Sequence, residues 1–313
     1  MTALWITALP TPDSRRSLRQ ASYPQQLHHV LGHDRHPYSF CCLDSQGSSF
    51  MKISVITVCF NSEHTIGDTI RSFLSQEYLD SELLIIDGGS QDNTVALARS
   101  FEDPRIRVIS EPDNGIYDAM NKGLRLFGGD AVGTLNSDDI FHDNLSLSRV
   151  AATLQRADIA YGDLVFVRDH ISKEVVRTWK AGRFSRHSFT LGWMPPHPTF
   201  YARRHVVETV GYFDCSYKIA ADYDYMLRAM VLYNFRSSYI PHTLVDFKIG
   251  GLSASSWRNN VIINREALIA RRKHLHSAAI DIATFLRPAR RISQVGFASV
   301  ERLLRMLRQR GQA

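Results

Sequence analysis

Residues 53–61 read ISVITVCFN, a run of apolar and β-branched side chains that stops at Asn61. Nearly continuous apolar character suits a strand covered on both faces, as in a parallel sheet. Outward from this stretch the pattern alternates. A helix is predicted from His64 to Gln76, with Ile66, Ile70, Phe73 and Leu74 on one face. ELLIID (82–87) is a second strand, 92–101 a second helix with Asp92 as its N-cap, and RIRVIS (105–110) a third strand. Residues 116–127 read as a third helix and DAVGTLN (130–136) as a fourth strand. Regular strand–helix alternation implies right-handed crossovers in an α/β domain, and ligands of such sheets bind beyond the carboxyl ends of the strands.

The flanks differ. Residues 1–50 carry scattered Pro, Ser, His and Arg without a period and read as a loosely attached or disordered extension, with Met51 a possible natural start. Past residue 141 the pattern is less regular: 157–167 reads as a strand, 182–200 as an aromatic- and proline-rich loop, and 203–210, 222–232 and 257–276 as helices. The expected division is an extension at 1–50, a main domain at 51–255 and a basic helical region at 256–313.

The chain of 313 residues is long enough for a sizeable core, and its net charge of +6 is uneven. From Arg265 to the end, eleven Lys or Arg face only Glu266, Asp281 and Glu301. That stretch, with Ile292, Val295, Val300, Leu303, Leu304 and Leu307 among arginines, is an amphipathic basic pattern suited to an anionic membrane surface; an ordinary solvated helical bundle is the alternative. Cys41, Cys42, Cys59 and Cys215 form no zinc spacing or disulfide framework, and no transmembrane run or secretory signal is apparent, so a cytoplasmic location is expected.

Five segments carry chemistry. In LNSDD (135–139), two adjacent carboxylates end a strand. Burying like charges side by side is costly unless a cation joins them, and carboxylate oxygens suit a hard ion such as Mg²⁺ or Mn²⁺. A polar turn capping the next helix fits Asp138 and Asp139 equally. In IDGGSQDNT (86–94), Asp87 can accept hydrogen bonds from a base or ribose, or belong to a tight strand-to-helix turn. In EPDNGIYDAMNKG (111–123), Lys122 suits a phosphate or open solvent. In KIAADYDYMLR (218–228), Asp222 and Asp224 suit a general base or a helix cap. In WMPPHPTFY (193–201), Trp193 offers a ring face and His197 a hydrogen bond to a sugar, unless both belong to a packed loop.

Taken in order, the strand ending CFN, IDGGSQDNT, DNG…NKG, LNSDD, PTFY with GYFD, and ADYDYMLR resemble the family 2 glycosyltransferases of the GT-A fold, over about Lys52 to Lys273. The wording of IDGGSxDxT and GIYDAMNKG is close to transferases of colanic-acid and related exopolysaccharide pathways. The resemblance implies a mixed, mainly parallel, Rossmann-like sheet flanked by helices. It also implies inverting, metal-dependent transfer from a nucleotide sugar, a UDP-sugar favoured, to a glycan or lipid-linked acceptor, with no nucleic-acid partner. Residue by residue, it implies Thr57 and Asn61 in the first strand's exit loop beside the nucleotide, Asp87 on the base, and Lys122 near the phosphates. Asp138 is the implied metal ligand with Asp139 adjoining, Asp222 the catalytic base, and Trp193, His197 and Asp224 the acceptor side. Two positions depart from the family pattern. Asn136 replaces the first acid of Asp-x-Asp, keeping a bond to ribose possible while lowering local charge, and Met120-Asn121 stands where many members have Arg-Asn. A nucleotide-sugar-forming nucleotidyltransferase would show a Gly-rich basic loop after the first strand, which CFNSEHT lacks; an inactive scaffold would not need Asp138, Asp139 and Asp222.

Overall fold

The computed structural model describes residues 51–250 and 257–275. Its first half follows the sequence pattern closely: β1 (Ile53–Cys59), α1 (Ile66–Leu74), β2 (Ser81–Asp87), α2 (Thr94–Arg99), β3 (Ile106–Ser110), α3 (Ile116–Leu126) and β4 (Ala131–Thr134). β1 pairs in parallel with β2 and β4, and β2 with β3. Alternation along β1 explains its apolar run. Ile53, Val55 and Cys59 pack with Ile66, Ile70 and Phe73 of α1, while Ile56 and Val58 pack with Met120 and Leu124 of α3. α2 starts later than expected, so Asn93 and not Asp92 is its cap residue; the Asp92 carboxylate accepts the Thr94 N–H at 2.9 Å from one position before the cap.

The second half is β5 (Ile140–Phe141), α4 (Ser146–Leu154), β6 (Ile159–Val167), β7 (Val175–Trp179), β8 (Tyr201–Arg203), α5 (Arg204–Val210), α6 (Ala221–Leu227), β9 (Ser237–Lys248) and α7 (Trp257–Leu275). The described strands make one nine-stranded sheet in the order β3-β2-β1-β4-β8-β6-β9-β5, with β7 on β6. β8 is antiparallel to both β4 and β6, whereas β6 and β9 run parallel. Gly133 lets β8 approach, because a Cβ there would fall on the ring of Tyr201. The expected loop at 182–200 holds two short 3₁₀ turns, Phe189–Leu191 and His197–Thr199. The expected helix at 222–232 is α6 followed by one π-helical turn, Arg228–Leu232.

Of the expected C-terminal helical region, α7 shares its buried Ala267 and Ala270 with the core cluster that includes α6. Residues 276–313, with the basic amphipathic stretch, and the extension at 1–50 lie outside the described residues. Among the described residues, no helix is long and apolar enough to cross a membrane.

Candidate active site

β1, β2 and β3 end together, because Cys59, Asp87 and Ser110 are register partners. Their exit loops therefore leave one edge of the sheet. Asp87 is fully buried and organises that edge. Its carboxylate accepts the N–H groups of Gly89 (3.1 Å) and Ser90 (3.0 Å), the Ser110 hydroxyl (2.7 Å) and the Ser90 hydroxyl. Burial opposes its ionisation, yet these donors hold the carboxyl below the usual carboxylate range. A carboxylate offers about four lone-pair sites; the protein's own donors take them, so Asp87 shapes the loop.

Asn61 adopts a left-handed backbone with φ of 50°. Its N–H donates to the Ser90 hydroxyl at 2.8 Å, and its side-chain oxygen accepts the Gln91 N–H at 3.0 Å, locking the first two exit loops together. The third loop joins them: the Glu111 N–H bonds the Asp87 carbonyl at 3.0 Å, and a Cβ on Gly88 would lie 2.5 Å from a carboxylate oxygen of Asp113. Thr57 is not in the exit loop. It lies within β1, fully buried, because the strand continues two residues beyond it, and its hydroxyl has no hydrogen-bond partner among the described residues. Lys122 is held back from open solvent: its ammonium bonds the Pro112 carbonyl at 2.6 Å and Glu111 at 3.0 Å, which fixes the turn leading into α3.

The Asn136–Asp139 turn arrives at the same edge after β4. The hydroxyls of Ser62 and Ser137 stand 3.0 Å apart, and Thr69 of α1 donates to the Asp139 carbonyl at 2.8 Å. The two acids differ. Asp139 is fully buried, one oxygen accepting the Asn136 amide at 2.7 Å and the other the Lys248 N–H at 3.1 Å. Burial and the neighbouring Asp138 push the Asp139 carboxyl well above the usual range. Burial also raises Asp138, opposed by Lys248 and His170; the His170 ring lies 2.8 Å from the Asp138 carbonyl. Two crowded, desolvated carboxylates are the donor set a hard divalent cation relieves, so these residues fit one. Among the described residues no group of three or more His, Cys, Asp or Glu forms a complete metal centre, so further ligands would come from the substrate or from solvent.

The second cluster lies at the start of α6. Asp222 bonds the Tyr223 N–H at 2.7 Å and acts electrostatically on both Tyr117 and His197. Burial pushes the His197 imidazole below its ordinary value, against the pull of Asp222. α3 joins the two clusters: it starts at the Asp113–Gly115 turn beside Gly88, and its Tyr117 hydroxyl donates to the Ile219 carbonyl. Its Asn121 exchanges two hydrogen bonds of 2.9 Å with the backbone of Phe213, bringing the NKG and GYFD segments together.

Asp224 and Trp193 are not brought to the Asp222 face. Asp224 is fully buried and bonded to Arg228 and His274, each at 2.8 Å. Trp193 is 7% exposed, its indole N–H bonds the Ala181 carbonyl at 2.6 Å, and its ring packs among Tyr161, Phe184 and Phe189. Phe189 passes that packing to Tyr223 of α6. A separate cavity of about 490 Å³, lined by His142, Asp163, His242 and Asp246 among others, contains none of the sequence-derived site residues.

Sequence reasoning missed Tyr117, His170 and Glu266. Glu266 carried a signal, as the one acidic residue between Asp246 and Asp281; Tyr117 stood inside a quoted segment without a role.

A family model described as "Glycosyl transferase family 2" matches residues 54–221. A PGL/p-HBAD biosynthesis glycosyltransferase of Mycobacterium tuberculosis is 28% identical over 222 residues, 69% of this chain and 82% of the relative. The Escherichia coli UDP-Glc:alpha-D-GlcNAc-diphosphoundecaprenol beta-1,3-glucosyltransferase WfgD is 32% identical over 120 residues, 38% of this chain and 47% of that protein. Glucosyl-3-phosphoglycerate synthase from Mycobacterium tuberculosis, solved with Mn²⁺, UDP and phosphoglyceric acid, superposes with a TM-score of 0.53 at 17% identity, covering 73% of this chain and 80% of that one.

Proposed function

The chain belongs to glycosyl transferase family 2 and has the GT-A fold, and from that premise we propose that it moves a sugar from a UDP-sugar to an acceptor hydroxyl by one inverting displacement. The observation that carries this reading is the meeting of the Asn136–Asp139 turn with the exit loops of β1 and β2 at one sheet edge, next to the Asp222 segment that α3 ties to it. The Asp87-centred loop and Asn61 frame the nucleoside, and Asn136 remains close to the ribose. Asp138 holds a divalent cation, Mg²⁺ or Mn²⁺, with Asp139 fixing the turn behind it. When bound, such a cation offsets charge on the departing diphosphate. Asp222 takes the proton of the acceptor hydroxyl as its oxygen attacks the anomeric carbon opposite the leaving group, and His197 lines the acceptor side.

The lipid-diphosphate acceptor in the name of the Escherichia coli relative supports a lipid-linked acceptor here, in building a surface glycan. The basic surplus from Arg265 onward supports peripheral contact with an anionic membrane surface, beyond a main domain at 51–255. The test is product release from UDP-, GDP- and dTDP-sugars, with and without Mn²⁺. UDP-sugar turnover that depends on the cation is expected, and Asp138→Asn should abolish cation-dependent donor binding. A folded chain that turns over no donor overturns the reading.

A further inference from the structure

α6 starts without a cap of its own. The residue before it is Ala220, whose side chain has no acceptor. Its approach and first turn are held by other elements. From α7, Glu266 accepts the N–H groups of Lys218 (2.9 Å), Ile219 (3.0 Å) and Ala220 (3.0 Å). From α3, the Tyr117 hydroxyl donates to the Ile219 carbonyl. The Tyr223 N–H bonds the Asp222 carboxylate itself. Side chains thus hold the N–H groups of Lys218, Ile219, Ala220 and Tyr223.

Glu266 is well placed for that grip. One and two helical steps of four residues along α7, Ala270 is buried and His274 reaches Asp224 at 2.8 Å, so all three share a face of α7. Arg271 bonds the Tyr223 hydroxyl at 2.9 Å, and Lys273 bonds Asp214 at 3.1 Å. Hydrogen bonds to a charged acceptor are short and directional, and three on one carboxylate leave the loop little freedom. Asp222 follows two residues after the last of them.

We propose that Glu266 is a positioning residue for the reaction: it fixes the Lys218–Ala220 backbone and through it the direction of the Asp222 carboxylate. This rests on the reading of Asp222 as the base. A misplacement of about 1 Å at a reacting group costs on the order of a hundredfold in rate. The Asp87 loop and the Asn136–Asp139 turn are held by other residues, so the loss falls on kcat and not on the donor KM.

The experiment uses the full chain with its Mn²⁺-dependent UDP-release assay, on Glu266→Ala, Glu266→Gln, Asp222→Asn and the double variant Asp222→Asn with Glu266→Ala. Glu266→Ala should lower kcat by about a hundredfold with donor KM near wild type, and should lower the thermal midpoint only modestly, because the three freed N–H groups lie near the surface and can bond water. Glu266→Gln, which keeps one carbonyl acceptor, should recover part of the rate. In the Asp222→Asn background the second change should add almost nothing, because both act through one group. Amide exchange at 218–223 should quicken in Glu266→Ala. A wild-type kcat in Glu266→Ala, a rate loss matched by loss of folded protein, or an additive loss in the double variant overturns the proposal. An inactive Asp222→Asn beside a fully active Glu266→Ala removes only the role of Glu266. A fully active Asp222→Asn removes the base assignment and this proposal with it.

Discussion

Successive helical residues turn by about 100°, so side chains two apart point nearly opposite ways. α6 uses that rotation to separate Asp222 from Asp224. Asp222 faces His197 and Tyr117, while Asp224 turns inward to Arg228 and His274. Asp222→Asn should slow transfer by about 10²–10⁴-fold with donor binding and stability unchanged. Asp224→Asn should instead destabilise the chain by roughly 3–5 kcal/mol, since it leaves the largely buried Arg228 guanidinium without its carboxylate; urea unfolding separates the two. Asp87→Asn should cost about 1–3 kcal/mol, because the amide cannot accept all four donors. The sign of the pH effect follows. The folded Asp87 carboxyl lies below its ordinary 3.8, so its contribution is present above that pH and fades as acid titrates it. Wild type should lose stability below about pH 4 more steeply than Asp87→Asn, in unfolding midpoints measured across that range. That Asp87, Asp138 and Asp139 sit at or just past the ends of strands was legible in the sequence. What each one touches was not: the donors of Asp87 include Ser110, 23 positions on, and His274, one of two partners of Asp224, lies 50 positions on.

Among the elements, β9 shows why the second half reads poorly. Gly162 of β6 pairs with Ile240 and Asp163 with Thr243, so Pro241 and His242 bulge out of the ladder. Proline is accepted in a strand at such a bulge, but in the sequence Ile-Pro-His it breaks the apolar period. β5, β7 and β8 escaped for a related reason: at two, five and three residues they carry too few periods to stand out, and tertiary pairing decides them. The parallel half was legible because both faces of β1, β2 and β4 are covered, which writes the burial into consecutive residues. One close approach can be tested at this scale. Gly133→Ala would push a methyl group into the Tyr201 ring and should cost roughly 1–3 kcal/mol, read as a lower thermal midpoint. Trimming the ring in Gly133→Ala with Tyr201→Leu should cost less than the two single changes summed.

On the scale of the molecule, the sheet joins two kinds of chain path. β3-β2-β1-β4 is built from neighbours in sequence; β8, β6, β9 and β5 are threaded from farther along, with β8 seated between β4 and β6. α7 then returns to brace α6, so the segment holding the proposed base depends on residues well beyond the 54–221 span of the family match. The resemblance in the sequence identified the family from its motifs, but Glu266 lies in none of them. The position of β8 has a consequence for synthesis. While the chain emerges from the ribosome, β4 shows a bare row of amide and carbonyl groups until Tyr201–Arg203 is made. At about 5–20 residues per second, the roughly seventy residues between them take several seconds to appear. During that interval the half-made sheet is a template for stray strand pairing, and a chaperone that shields newborn chains has its clearest task there.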